Sequence, residues 1–474
     1  MAKYIKFNKF NKYFKYIIYV TLFNYFNLCL YGYNYNNTFE GVSLIKFLYY
    51  CFKREYNNNL SNYKITDNLL NYFGIFILSI FSRLHELYLS DSKINKFFEI
   101  NDSDVLAQRK IAHLNLDNHN KKENILYRFR NYLVINSSHI IYIVISFFWV
   151  VDEIILIIFS TFLSNIDFWF FEILMVSFFY SRIFLIRIYR HQKIAIIINL
   201  LPSLLKTATI ILSFYSQEQK VYTEYPWWIP IGIFLFLFLK LIEAFIFCTL
   251  KSFFDIKYIS TSHILMFYSF VGLLICLVIC FMSSFFPCSQ ITDSNYLVEG
   301  ICTIQDDNYR YLDNIIIYFK TYSNGNAIDI VIRTFIIIAD SVTFFFYKYF
   351  SLLVIKYTDP VNIILCFPMV FIVKKVVLVL INLIINKECF KDTSNFKVDK
   401  YFLDIFGDII CLFGYLIYLE IIELKFCGLD HDIKKNIIIR GMSEEFSIND
   451  MTGFINDEDM QEDENPNISY EMQN

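Results

Sequence analysis

The stretch from Ile166 to Ser216 constrains this chain more than any other. It carries two apolar runs, IDFWFFEILMVSFFYSRIF and KIAIIINLLPSLLKTATIILSFYS, joined by the basic turn LIRIYRHQK at residues 185–193. Each run is about 20 residues long, and at ~1.5 Å per residue that length crosses the roughly 30 Å hydrocarbon core of a bilayer. The turn holds Arg187, Arg190 and Lys193, and short loops rich in Lys and Arg stay cytoplasmic during insertion. The hairpin therefore sets the orientation of everything before and after it.

Composition points to the same class. With 56% hydrophobic residues, 20% aromatic residues and a mean hydropathy of +0.43, the 474-residue chain has more apolar surface than a water-soluble core of ordinary composition can hide. The expected class is an all-α, polytopic membrane protein with the lipid bilayer as its main partner. The 42 basic and 45 acidic residues leave a net charge of -3, so bulk charge points to no nucleic-acid partner. Heavy use of Asn, Lys, Ile, Phe and Tyr looks like a bias toward AT-rich codons, and residue frequencies carry no functional weight.

In chain order, a basic start at residues 1–15 precedes the apolar run Tyr16 to Tyr31, read as a signal anchor and first span. Span two is expected near Leu69 to Leu89 and span three near Ser137 to Leu163, and the hairpin supplies spans four and five. Spans six to ten follow near Trp227 to Leu250, Ser262 to Phe286, Ala327 to Phe350, Pro360 to Ile385 and Tyr401 to Leu424. The span domain thus covers 16–424, and residues 425–474 form a basic amphipathic piece and an acidic tail too charged to fold alone. Ten spans put both termini in the cytoplasm, and Lys and Arg are roughly twice as frequent in the cytoplasmic segments as in the lumenal ones. Asn36 and Asn59 head glycosylation acceptor sequences in a segment expected to be lumenal. Cys288 and Cys302 share the lumenal loop Pro287 to Asn326, where spacing alone does not decide between a disulfide and two free thiols.

Ionisable residues at membrane depth cost at least about 2.5 to 3.5 kcal/mol on insertion scales and face a partner or a water-filled cavity. Those expected there are Asp152 and Glu153 in span three, Lys206 in five, Lys240 and Glu243 in six, Arg333 and Asp340 in eight, and Lys374 and Lys375 in nine. Lys240 and Glu243 stand three apart on one helix face, which a local ion pair would explain. Arg333 and Asp340 are two turns apart on one face and would line the same cavity. Asp152 and Asp340 occupy equivalent places five spans apart, and an odd number of spans per half inverts the second half, as in the inverted repeats of secondary transporters. The other reading of these acids is structural, paired with lysines inside the bundle. No Cys-x-x-Cys, His-Glu-x-x-His, Gly-x-Ser-x-Gly or phosphate-binding loop occurs, so no cofactor, metal site or catalytic constellation is expected.

The hairpin SRIFLIRIYRHQKIAIIINLL, the segment KSFFDIKYIS at 251–260 and the closing GYLIYLE at 414–420 resemble the drug/metabolite transporter superfamily. Within it they are most similar to the eukaryotic branch of nucleotide-sugar and chloroquine-resistance-type transporters. The resemblance covers about Tyr16 to Leu424. It implies a 5+5 inverted-repeat bundle, monomeric or homodimeric, that moves a small metabolite such as a nucleotide sugar by alternating access. It also implies an internal membrane of the Golgi, ER, vacuole or lysosome kind. Transport would be by exchange or coupled to protons, with Asp152 and Asp340 for coupling and Arg333 and Lys374 for an anionic group. With only 12 glycines in the chain, Ser, Thr, Ala and Cys are expected to replace them at helix crossings. The alternative is a non-transporting membrane scaffold or lipid-handling protein.

Overall fold

A computed structural model describes residues 17–19, 64–90, 139–158, 169–183, 188–217, 228–257, 259–290, 302, 304–306, 309–323, 327–366, 369, 372 and 398–422. Its helices are α1 (Lys64–Ser90), α2 (His139–Ile158), α3 (Trp169–Phe178, continued by a π-turn at Phe179–Ile183), α4 (Arg190–Gln217), α5 (Trp228–Lys257) and α6 (Thr261–Phe285). Three short strands follow, β1 (Ser289–Gln290), β2 (Ile304–Asp306) and β3 (Tyr309–Tyr311). The remaining helices are α7 (Ile315–Ser323), α8 (Ala327–Tyr357), α9 (Pro360–Leu365) and α10 (Val398–Tyr418).

Among the described residues, four helices are long and apolar enough to cross a membrane: Ile65–Glu86, Ile231–Phe254, Thr261–Phe285 and Ile330–Tyr357. Their outward faces stay apolar. Phe270, Leu274, Leu277, Val278 and Phe281 are exposed along α6, and Ile328, Val331, Phe335 and Ile338 along α8. Such continuous apolar stripes at helical spacing suit a hydrocarbon surrounding and not water, so the chain is an integral membrane protein.

The chain divides into two compact units, Met1–Arg187 with Ile196–Tyr415, and Ile188–Ala195 with Leu416–Asn474. In the first, α1 packs antiparallel to α6, and polar groups clamp both ends of the pair. At one end Arg83 donates to the Ser260 hydroxyl (3.0 Å), while Ser262 donates to Glu86 (2.7 Å) and pairs with Ser82 (2.7 Å). At the other, Thr66 meets the Cys280 thiol (3.8 Å) and the Asp313 carboxylate. Between the clamps the crossings are very close: a Cβ on Gly272 would lie 2.5 Å from the Tyr72 ring, and one on Gly74 2.5 Å from Ser341 Cβ on α8. Gly and Ser thus occupy the tight crossing of α1 with α8. Helix α2 packs on α6 and α5, and α3 on α5 and α9, with Trp149 edge-on to Phe247 and Phe179 edge-on to Phe245. The Cys411 thiol reaches the Asn199 carbonyl (3.8 Å), joining α10 to α4.

In the second unit Tyr189 stacks on His191, whose Nε2 lies 3.3 Å from Glu420 Oε1. Glu420 has φ 59°, a left-handed residue just past the end of α10, where a helix commonly stops.

Several boundaries differ from the sequence expectation. The expected turn at 185–193 is already helical from Arg190, because the Tyr189 N–H bonds to Gln192 Oε1 (3.0 Å) in the reciprocal half of a capping box. Helix α5 continues through 251–257, which had been expected as a link. There Lys251 Nζ donates to the carbonyl of Lys356 (3.0 Å) near the end of α8, a favourable place for a cation. Helix α8 runs to Tyr357 and not Phe350, and Asp359, capping the Asn362 N–H (2.9 Å) ahead of Pro360, starts α9.

The described residues are mostly helical, as expected, and the loop after α6 adds a small sheet. Its strands form an antiparallel sheet of order β1-β3-β2, with Ser289 opposite Arg310 and Gln305 opposite Arg310 on the other side. A disulfide joins Cys288 to Cys302, and the Cys288 N–H bonds to the Arg310 carbonyl (2.8 Å). Strands of two or three residues are too short for their alternation to show in a sequence. Asn36, Asn59, Lys374, Lys375, most of spans one and nine, and the tail beyond residue 422 lie outside the described residues, as does the side chain of Lys206.

Candidate functional site

The charged side chains of the bundle meet in two adjoining groups. Asp152 and Glu153 are the acidic residues of the otherwise largely apolar helix α2, and being consecutive they point to neighbouring sectors of the helix, about 100° apart. Glu153 accepts hydrogen bonds from Tyr72 of α1 (3.1 Å), from Tyr268 of α6 and from Lys348 of α8, and the two tyrosine hydroxyls are 3.5 Å apart. One carboxylate therefore joins four helices. Seven residues separate Thr261 from Tyr268, so the site lies about 10 Å inside that helix end.

The Lys348 ammonium lies over four rings besides. Its Nζ is 5.0 Å from the centroid of Trp149 and 5.4 Å from those of Tyr268, Phe344 and Tyr347. Phe344 and Tyr347 stand four and one residues before it on its own helix, whereas Trp149 and Tyr268 come from α2 and α6 and pack on each other at 4.5 Å. Ring faces carry negative potential, so this arrangement favours a cation that has lost its water.

The second group centres on Lys240 of α5. Its Nζ pairs with Glu243 on the same helix (2.6 Å) and with Glu172 of α3 (3.2 Å). Asp152 lies beside both groups, and the charges acting on it are Glu243, Lys240, Glu153 and Glu172. It is only 2% exposed, and its Oδ1 has no hydrogen-bond partner among the described residues. In total four carboxylates, Asp152, Glu153, Glu172 and Glu243, face two ammonium groups, Lys240 and Lys348.

No protein-family model and no curated protein matches this chain.

Of the residues singled out from sequence, Asp152, Glu153, Lys240 and Glu243 come together here. Asp340 is buried on α8, eight residues before Lys348 and so about 12 Å away along the axis. Arg333 is a further two turns back on that helix. Lys348, Glu172, Tyr72 and Tyr268 were missed. Lys348 is two residues from the span end expected at Phe350, where a lysine can snorkel, but the continuation of α8 to Tyr357 puts it nine residues inside the helix. Glu172 had a readable signal, an acid within an apolar run. The tyrosines had none, since 36 tyrosines fill the chain.

Among the described residues no group of three or more His, Cys, Asp or Glu has the geometry to hold a metal ion.

Proposed function

We propose that this protein is a membrane carrier that moves a small organic solute across an internal membrane by alternating access. The observation that carries the reading is the buried group of two lysines and four carboxylates from α2, α3, α5 and α8. Buried ion pairs add little stability over apolar packing of the same volume, because desolvation offsets their attraction. Ionisable groups inside a membrane bundle accordingly mark solute and ion pathways.

Helix pairing supports the inverted-repeat form. In the ten-span count α1, α2, α5, α6 and α8 are spans two, three, six, seven and eight. Exchanging two with seven and three with eight turns the α1–α2 contact into α6–α8, and the α2–α6 contact into α8–α1, and all four contacts exist. The same exchange relates the α2–α5 contact to that of Tyr19, in span one, with Phe350 of α8, whose ring centroids are 4.9 Å apart. A 5+5 repeat of the drug/metabolite transporter kind requires this reciprocity. Coupling by protons or by exchange fits carboxylates that outnumber the lysines beside them.

The test is counterflow in reconstituted vesicles preloaded with a metabolite pool. Uptake of labelled solute above that of protein-free vesicles is expected. Uptake equal to protein-free vesicles for every member of the pool would leave the non-transporting scaffold.

A further inference from the structure

We propose that the solute is an organic cation, and that the box around the Lys348 ammonium is its binding site, filled here by Lys348 as a tethered stand-in. The direction of use rests on the carrier reading above; binding does not.

The box has the chemistry of an ammonium receptor. Trp149 and Tyr268 supply ring faces from two other helices, Phe344 and Tyr347 add two more, and Glu153 supplies the counter-charge. The Tyr72 and Tyr268 hydroxyls fix that carboxylate in place. Aromatic faces attract any desolvated cation, and quaternary ammonium groups suit them best because they are already weakly hydrated. A lysine on a flexible four-carbon stem can withdraw when a ligand takes its place. The side chains of Lys348 and Glu153 keep 10% and 16% of their exposure, so the box is not sealed. Asp152, next in sequence to Glu153, is almost wholly buried with an oxygen that no described hydrogen bond satisfies. Even without Asp152, the three carboxylates Glu153, Glu172 and Glu243 outnumber Lys240 and Lys348 in the two adjoining groups, and an entering cation is compensated while Lys348 remains nearby. An anionic solute would meet the opposite.

Withdrawal of Lys348 on binding lowers the apparent affinity by the fraction of time that the box is empty. Removing the lysine should therefore tighten binding. Purified full-length protein in detergent is titrated calorimetrically, at constant ionic strength, with choline and with 3,3-dimethylbutan-1-ol, its uncharged analogue of the same shape. Saturable binding of choline alone is expected, at least tenfold tighter in Lys348→Ala and at least tenfold weaker in Glu153→Gln and in Trp149→Leu. Equal behaviour of the two probes, or choline affinity unchanged in Trp149→Leu, would overturn the proposal. So would folded Lys348→Ala that binds choline no more tightly than the native protein. Should Lys348→Ala fail to fold, the probe contrast and Trp149→Leu still decide. Choline binding without counterflow of any solute would refute the carrier and leave the site, whereas counterflow of other solutes without choline binding would refute the site and leave the carrier.

Discussion

Asp313 holds Thr66 by both carboxylate oxygens across 247 residues of chain: Oδ1 accepts the Thr66 hydroxyl at 2.6 Å and Oδ2 accepts its N–H at 2.8 Å. The Ile65 N–H also bonds to Oδ2 at 2.8 Å. The first N–H groups of a helix have no partner within it, and a carboxylate there satisfies them and complements the helix dipole. The next residue, Asn314, caps α7 through the N–H groups of Ile316 and Ile317 (3.1 Å each), and the Ile315 N–H bonds to Ser284 of α6 (3.1 Å). Three consecutive residues, Asp313, Asn314 and Ile315, thus hold together the ends of three helices, two of which carry the tyrosines of the site.

Replacing Asp313 by Ala should leave two backbone donors and a buried hydroxyl without their acceptor. A loss of roughly 2 to 3 kcal/mol is expected, measured as a fall in the thermal unfolding midpoint of detergent-purified protein. An unchanged midpoint would mean that water satisfies this helix end unaided.

Burial pushes the Asp313 carboxyl up from 3.8 to about 6, against the bonds from Thr66 and Ile65 that lower it. Between those values the folded chain binds more protons than the unfolded one, so stability falls as pH rises through this window and is regained on acidification. At about 1.4 kcal/mol per pH unit the contribution approaches ~3 kcal/mol between pH 7 and pH 4. Unfolding of the native protein and of Asp313→Asn, compared across that range, should show this component in the native protein alone.

Glu153→Gln or Lys348→Met alone leaves a buried charge without its main partner and should cost about 3 to 5 kcal/mol, whereas the double change should recover most of it. The double-mutant cycle on unfolding free energies reads this directly. Additive losses would show that the two side chains are not coupled in the membrane.

A methyl group added at Gly272 meets the Tyr72 ring at 2.5 Å, too close for any side-chain carbon. Gly272→Ala should therefore destabilise the α1–α6 pair by about 1 to 3 kcal/mol. Tyr72→Leu in the same chain should restore part of the loss.

Changing Cys288 and Cys302 to Ser opens a covalent loop with a sequence separation of 14 and should cost about 3 kcal/mol in the chain-entropy model. The same loss should follow reduction of the native protein, and alkylation before reduction should leave both thiols unmodified.

Much of this molecule can be read without its fold. The length and mean hydropathy of Ile231–Phe254 and Thr261–Phe285 suffice to place those helices in a bilayer, because spanning depends on both and both are local properties. The pairing of Lys240 with Glu243 was legible for the same reason, since positions three apart on a helix are always neighbours. Helix ends were less so: α5 and α8 continue past the span ends expected at Leu250 and Phe350, to where Lys251 of one donates to the carbonyl of Lys356 near the end of the other. What joins Glu153 to Tyr72, Tyr268 and Lys348, or Asp313 to Thr66, has no local signal whatever. These pairs are separated by 81, 115, 195 and 247 residues, and only the order in which helices pack decides which buried polar group meets which. The sequence by itself determined that this chain enters a membrane and which charges go with it; the tertiary structure decided which of them meet, because a charge in low dielectric is stable only where the fold brings it a partner.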